Sequence, residues 1–218
     1  MNKIIDILKW IAIAMIYIVL SALTYSIGTN EKIHNIYLQN TILIGGELLL
    51  LLIFYLIFRK QINNSFKELK GNKKRIIKYV IIIWIIGLTL MVASNTLLSK
   101  FIKDMAENEA ANRELLDKYM IYAIPSMVII GPFIEEILFR LSIKNIINNK
   151  ILFIIISSLL FGFAHVIGTT GLQLLYVIPY AILGATFAYI YQKDNNIFAS
   201  FTAHFIHNLA CILIILFS

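Results

Sequence analysis

Three short motifs place reactive side chains inside otherwise apolar runs. The first, Glu135-Glu136-Ile137-Leu138-Phe139-Arg140, brings two carboxylates and a guanidinium together. The second, Phe161-Gly162-Phe163-Ala164-His165, ends on an imidazole, and the third, His204-Phe205-Ile206-His207-Asn208, pairs an imidazole with a carboxamide four residues on. On a helix, positions four apart share a face. Glu136 and Arg140 therefore form a same-face ion pair with the acid in the favourable N-terminal place, which reads as bracing. Glu135 is turned about 100° away from that pair. It has no basic residue three or four positions off, so it is the free acid.

A lone carboxylate with a histidine partner can take a proton from water as a general base. A second histidine and an amide donor can stabilise the oxyanion that forms when water adds to a carbonyl. Glu135, His165, His204 and Asn208 thus point to hydrolysis of a polar bond without a covalent nucleophile. Glu135, His165 and His204 could alternatively ligate zinc with water in the fourth position. No His-Glu-x-x-His is present, and Asn208 suits an oxyanion donor better than a zinc ligand, so the metal-free scheme with no cofactor is preferred.

The elements that must position these groups are membrane helices. Of the 218 residues, 60% are hydrophobic and 14% charged. Soluble domains carry nearer 45 to 50% apolar residues, so an ordinary soluble protein is excluded and an all-α, polytopic membrane bundle is expected. Apolar runs near the roughly 20 residues that a bilayer core requires fall at 8–28, 41–58, 78–98, 119–141, 151–168, 172–191 and 197–217. That predicts about seven transmembrane helices in a single domain, 1–218. The first run exceeds a cleaved signal core and is read as an uncleaved span. If the turn between the fourth and fifth runs centres on Lys150, Glu135 and His165 both lie fifteen residues from it and stand level.

The net charge of +7 gathers between the spans with no nucleic-acid motif, so it reads as a topology signal and not a nucleic-acid surface. The segment 59–78 holds eight Lys and Arg against Glu68 alone. Positive loops stay cytoplasmic, which puts the N-terminus inside together with Lys144, Lys150 and Lys193. This basic segment reads as a retained loop or as an interfacial stretch on anionic lipid. Acids and bases alternate through 104–118, which predicts a short solvated outer helix with no further role. Trp10, Tyr119 and Tyr191, near span ends, are expected to anchor at the interface. Pro125 and Pro132 are expected to kink the fourth span and free backbone carbonyls. Glu47 matches no motif and is assigned a helix-to-helix hydrogen bond, and the single Cys211 can form no intrachain disulfide.

The order Glu-Glu-x-x-x-Arg, Phe-x-x-x-His, His-x-x-x-Asn on three hydrophobic helices resembles the CPBP or ABI family of intramembrane proteases, which includes the type II CAAX prenyl endopeptidases. The resemblance covers Tyr119 to Phe217, as a catalytic core. It implies that Glu135 and His165 activate water, that His204 and Asn208 form the oxyanion site, that Glu136 and Arg140 brace the helix, and that Phe161 shapes the cleft. Members of the family have been described as metalloproteases, which implies zinc as the alternative. His207 lies outside the pattern. The implied partner is a membrane-associated peptide or protein within a lipid bilayer, and the Ile, Asn and Lys bias suits a bacterial plasma membrane. Two other classes compete: a non-catalytic membrane interaction protein, such as a peptide-toxin immunity or regulatory factor, and a proton or cation carrier. Carriers show paired broken helices in matched halves, which this sequence lacks.

Overall fold

A computed structural model describes residues 3–217. It is all-α, with no strand among the described residues. The helices are α1 (Lys3–Gly28), α2 (Ile36–Leu98), α3 (Glu107–Lys118), α4 (Met120–Pro125), α5 (Gly131–Glu136), α6 (Ser142–Ile146), α7 (Lys150–Ala164), α8 (Val177–Asp194) and α9 (Ile197–Phe217). Two π-helical segments, Ser126–Ile130 and Ile137–Leu141, join α4, α5 and α6 into one continuous fourth span, and a 3-10 turn, Gly171–Tyr176, leads into α8.

Five helical stretches are long and apolar enough to cross a membrane: α1, α2, 120–146, 171–194 and α9. The seven apolar runs are largely helical, but three do not stand as separate full-length spans. Runs 41–58 and 78–98 belong to the single 63-residue α2, whose helical geometry breaks only at Asn72 (φ −128°, ψ 18°). The fifth run is the 15-residue α7, shorter than a full crossing. Its helix stops at His165 because the chain turns there through Gly168 and Gly171, both at positive φ (91° and 60°). Large apolar side chains cover the outside, among them Ile18 (61% exposed), Ile86 and Ile214. An outer surface this apolar belongs in lipid.

Contacts sort the connections onto two ends. At one, Lys9 lies over the Phe58 ring, Gln61 donates to Asn145 (2.8 Å), Arg75 pairs with Asp194 (3.1 Å), and Asn196 Nδ2 donates to the Ser65 carbonyl (2.8 Å). The basic segment 59–78 is thus gathered with the α6–α7 and α8–α9 turns, the grouping expected from charge, although it is helical and not a loop. Asn195 in the left-handed region ends α8, and the Asn196 carboxamide oxygen accepts from Phe198 and Ala199 to start α9. At the other end lie the α1–α2 turn, α3 and the loop after α7. Between the ends runs one core that includes Phe54, Phe58, Phe153, Phe161 and Phe187, all essentially inaccessible.

The three expected interface anchors are placed elsewhere. Trp10 is half-buried and donates to the Leu138 carbonyl (3.1 Å). Tyr119 is buried with Leu43 and Tyr122, and Tyr191 is buried against Phe153. Each packs against other parts of the bundle, so aromatic bulk near a run's end was a packing signal here.

Candidate active site

The fourth span owes its shape to missing and displaced backbone donors. Gly131 N–H reaches back five residues to the Ser126 carbonyl, the π spacing. The next carbonyl in that ladder, Met127, would need Pro132, which has no N–H. Asn208 Nδ2 from α9 donates to it instead, at 2.7 Å. In the second π segment the Leu138 carbonyl accepts from Trp10 of α1 and from Ser142 Oγ, and the Phe139 carbonyl accepts from Ser157 of α7 (2.7 Å). The expected freeing of carbonyls is borne out. Three helices grip the span through them, and π turns of this kind concentrate at functional sites.

Between the two wide turns stand the acids. Glu136 is fully buried; its Oε2 pairs with Arg140 Nε at 3.4 Å, the expected brace, and its Oε1 accepts from His204 Nδ1 at 3.0 Å. Arg140 is equally buried, its guanidinium 4.6 Å above the Phe161 ring and flanked by Phe187 and Phe139. The ring faces help to hold a cation that has no hydrogen-bond partner. Glu135 points the other way. Its Oε2 is buried without a hydrogen-bond partner and stands 3.7 Å from His204 Nε2. That gap is too long for a direct hydrogen bond.

His204 therefore spans both acids, and it also stacks on Phe187 at 4.5 Å. His165 does not contact Glu135. Its Nδ1 faces the Phe161 carbonyl at 2.8 Å, and its ring packs against the Phe161 ring (4.3 Å, tilted by 38°) and stacks on Tyr180 (4.7 Å). Because a carbonyl only accepts, Nδ1 carries the proton and Nε2 presents a lone pair. The α6–α7 hairpin has the expected register, with Phe139 against Phe161 at 5.7 Å, so Glu135 and His165 stand at similar heights. Phe161 lies between the two imidazoles, 5.7 Å from His204, in keeping with a wall of the cleft.

The structure thus brings Glu135, Glu136, Arg140 and His204 into contact, sets Phe161 and His165 beside them, and ties Asn208 to the same span. His207, outside the motif, is buried with Nε2 3.7 Å from Cys211 Sγ. Glu47 makes the helix-to-helix bonds assigned to it, accepting from Tyr122 Oη (2.8 Å) and Ser126 Oγ (2.6 Å). Ser157 and Trp10 escaped the sequence reading. The signal for Ser157 was a Ser-Ser pair within an apolar run, since hydroxyls there seek a neighbouring helix.

The residues do not fit a catalytic zinc. Glu135, His165 and His204 do not converge as a ligand set: Glu135 comes within 3.7 Å of His204 Nε2, whereas His165, packed against Phe161 and Tyr180, pairs with neither carboxylate. Among the described residues no three His, Cys, Asp or Glu are grouped to hold a metal ion.

Comparison with known proteins gives the family. Residues 117–210 match the family model described as type II CAAX prenyl endopeptidase Rce1-like. The chain is 30% identical over 197 residues to UPF0177 protein YajF of Lactococcus lactis, covering 87% of this chain and 94% of that protein. It is 33% identical over 96 residues to the Bacillus subtilis protein named "Putative membrane peptidase YdiL", covering 41% of this chain and 37% of that one. An uncharacterized protein of Mycoplasma capricolum matches at 30% over 174 residues, 73% of this chain and 49% of that one. The chain thus spans less than half the length of these last two relatives. No solved structure matches at a significant level. A membrane helix bundle, a family model matched over residues 117–210 and a relative, YajF, covered over 94% of its length lead to one assignment: the chain belongs to the Rce1-like, type II CAAX prenyl endopeptidase family of membrane proteases.

Proposed function

We propose that this protein is an intramembrane endopeptidase that cuts a peptide bond in a membrane-associated peptide or protein by water attack, with Glu135 as the base. The observation that carries the reading is the Glu135 carboxylate, buried in a span, with Oε2 lacking a hydrogen-bond partner and 3.7 Å from His204 Nε2. One water can touch both atoms across that distance. Glu135, assisted by the lone pair of His165, takes a proton from the water, whose oxygen bonds to the carbonyl carbon. His204, held at Nδ1 by Glu136, and the second N–H of the Asn208 carboxamide donate to the resulting oxyanion. The proton held on Glu135 then passes to the leaving nitrogen as the C–N bond breaks.

Glu136 orients His204 as a carboxylate orients the imidazole in a hydrolytic triad, and Arg140 balances its charge. Residues 119–217 form the catalytic core of a single domain, and 3–98 supply cover. The basic end faces the cytoplasm of a bacterial plasma membrane by the positive-inside rule. The substrate is a peptide or protein associated with the membrane.

The test compares new N-termini in membrane fractions of bacteria producing the full chain or Glu135→Ala. Removing a general base typically costs about 10²- to 10⁴-fold. Termini present with the wild type and absent with Glu135→Ala and His165→Ala, at equal abundance of protein, are expected. Equal cleavage by either variant overturns the assignment, and a biological effect that survives Glu135→Gln would place the protein among non-catalytic interaction partners.

A further inference from the structure

The motifs explain only part of how His165 is held, since it follows the end of α7 and begins a loop. Its ring is fixed on both faces, by Phe161 from its own helix (4.3 Å) and by Tyr180 from α8 (4.7 Å, rings 29° from parallel). The α7–α8 contact that brings Tyr180 there depends on Gly162: a Cβ at that position would meet the Val177 carbonyl oxygen at 2.9 Å and the Ala181 nitrogen at 3.0 Å. Tyr180 is in turn tied at its hydroxyl, which accepts from Asn108 Nδ2 of α3 at 3.3 Å. A second bond joins the stretches that lead into α8 and α3, from Tyr176 Oη to the Asp104 carbonyl at 2.9 Å.

We propose that Tyr180, tethered by Asn108, is a positioning residue that clamps the His165 imidazole in the Nδ1–H tautomer and so aims its Nε2 lone pair. The inference rests on the reading of His165 as part of the site. It also gives the amphipathic α3 a role as the outer support of the clamp. Phe161 alone cannot do this, because one stacked face leaves the ring free to tilt away from the Phe161 carbonyl and to exchange tautomers. A second face closes the slot, and the hydroxyl tether keeps that face from swinging into the loop.

The measurement needs no substrate, so it stands or falls separately from the protease reading. The four histidines of the full chain are labelled with ¹⁵N in the imidazole, and His165 is assigned by the loss of its signals in His165→Gln. The wild type is expected to show a protonated Nδ1 and an unprotonated Nε2 for His165. Tyr180→Leu is expected to speed tautomer exchange at His165 at least tenfold while His207 is unchanged. Tyr180→Phe, which keeps the ring and loses the tether, is expected to fall between the two, and Asn108→Ala to match it, since both remove one shared bond. Should Tyr180→Leu disturb all four histidines together, Tyr180→Met, closer in volume and lacking a ring, replaces it. A fixed His165 tautomer in either ring-less variant overturns the clamp.

Discussion

The fourth span and α1 are both apolar helices, yet they are built on opposite principles. Of the most apolar stretch in 120–146, 56% of residues are buried inside the protein, against 11% in α1. The fourth span is gripped by directed bonds to its carbonyls from Trp10, Ser157 and Asn208, whereas α1 presents Ile4, Ile18 and Val19 to the outside and offers the bundle few polar contacts. In lipid, apolar burial between helices gives little net drive, because the tails are as apolar as the side chains. Order at the site has to come from hydrogen bonds and from the ion pair, while a helix such as α1 needs only to be greasy. Chemistry is thus concentrated where the backbone departs from α geometry.

That contrast can be broken most severely at the buried pair. Arg140→Met strands Glu136 without its counter-charge, and breaking one side of a buried pair costs about 3 to 5 kcal/mol. Loss of folded protein in a detergent thermal melt is expected, with partial recovery in Arg140→Met/Glu136→Gln. Next comes Asn208→Ala. It leaves the Met127 carbonyl unmet, at about 1 to 3 kcal/mol, and removes an oxyanion donor, at about 10²- to 10³-fold in rate. A cleavage rate that stays at the wild-type level would show that Asn208 serves the backbone alone. Trp10→Phe keeps the bulk and drops one bond to Leu138, so a fall of about 1 kcal/mol is expected in the same melt. Least of all, Leu52→Ala on an outward face of α2 (52% exposed) should stay within about 0.5 kcal/mol. A large effect there would point to an unseen partner on that face.

Much of this arrangement was legible in the sequence. The apolar runs gave the helices, the four-residue spacing gave the Glu136–Arg140 pair, and the two prolines announced free carbonyls. What escaped has a physical reason in each case. Hydropathy dips across 59–78, so two runs were separated where the backbone stays helical and bends only at Asn72. Helical spacing assumes 3.6 residues per turn. It therefore missed the two π segments that flank the acids, and it did not foresee that Glu135 meets His204 of α9, at 3.7 Å. Trp10 and Tyr191 looked like interface residues because their depth was counted along the chain, while their directions depend on neighbours far away in sequence. The alternation of charge in α3 hid the tether through Asn108.

A π turn is an α-helix carrying one residue too many. Deleting a single residue from 126–130 would leave every motif intact and let that stretch close to ordinary pitch, with the helix beyond it kept on its bearing. The regular α9 has no such spare residue: a one-codon gap ahead of His204 would turn that imidazole by about 100° away from the two acids.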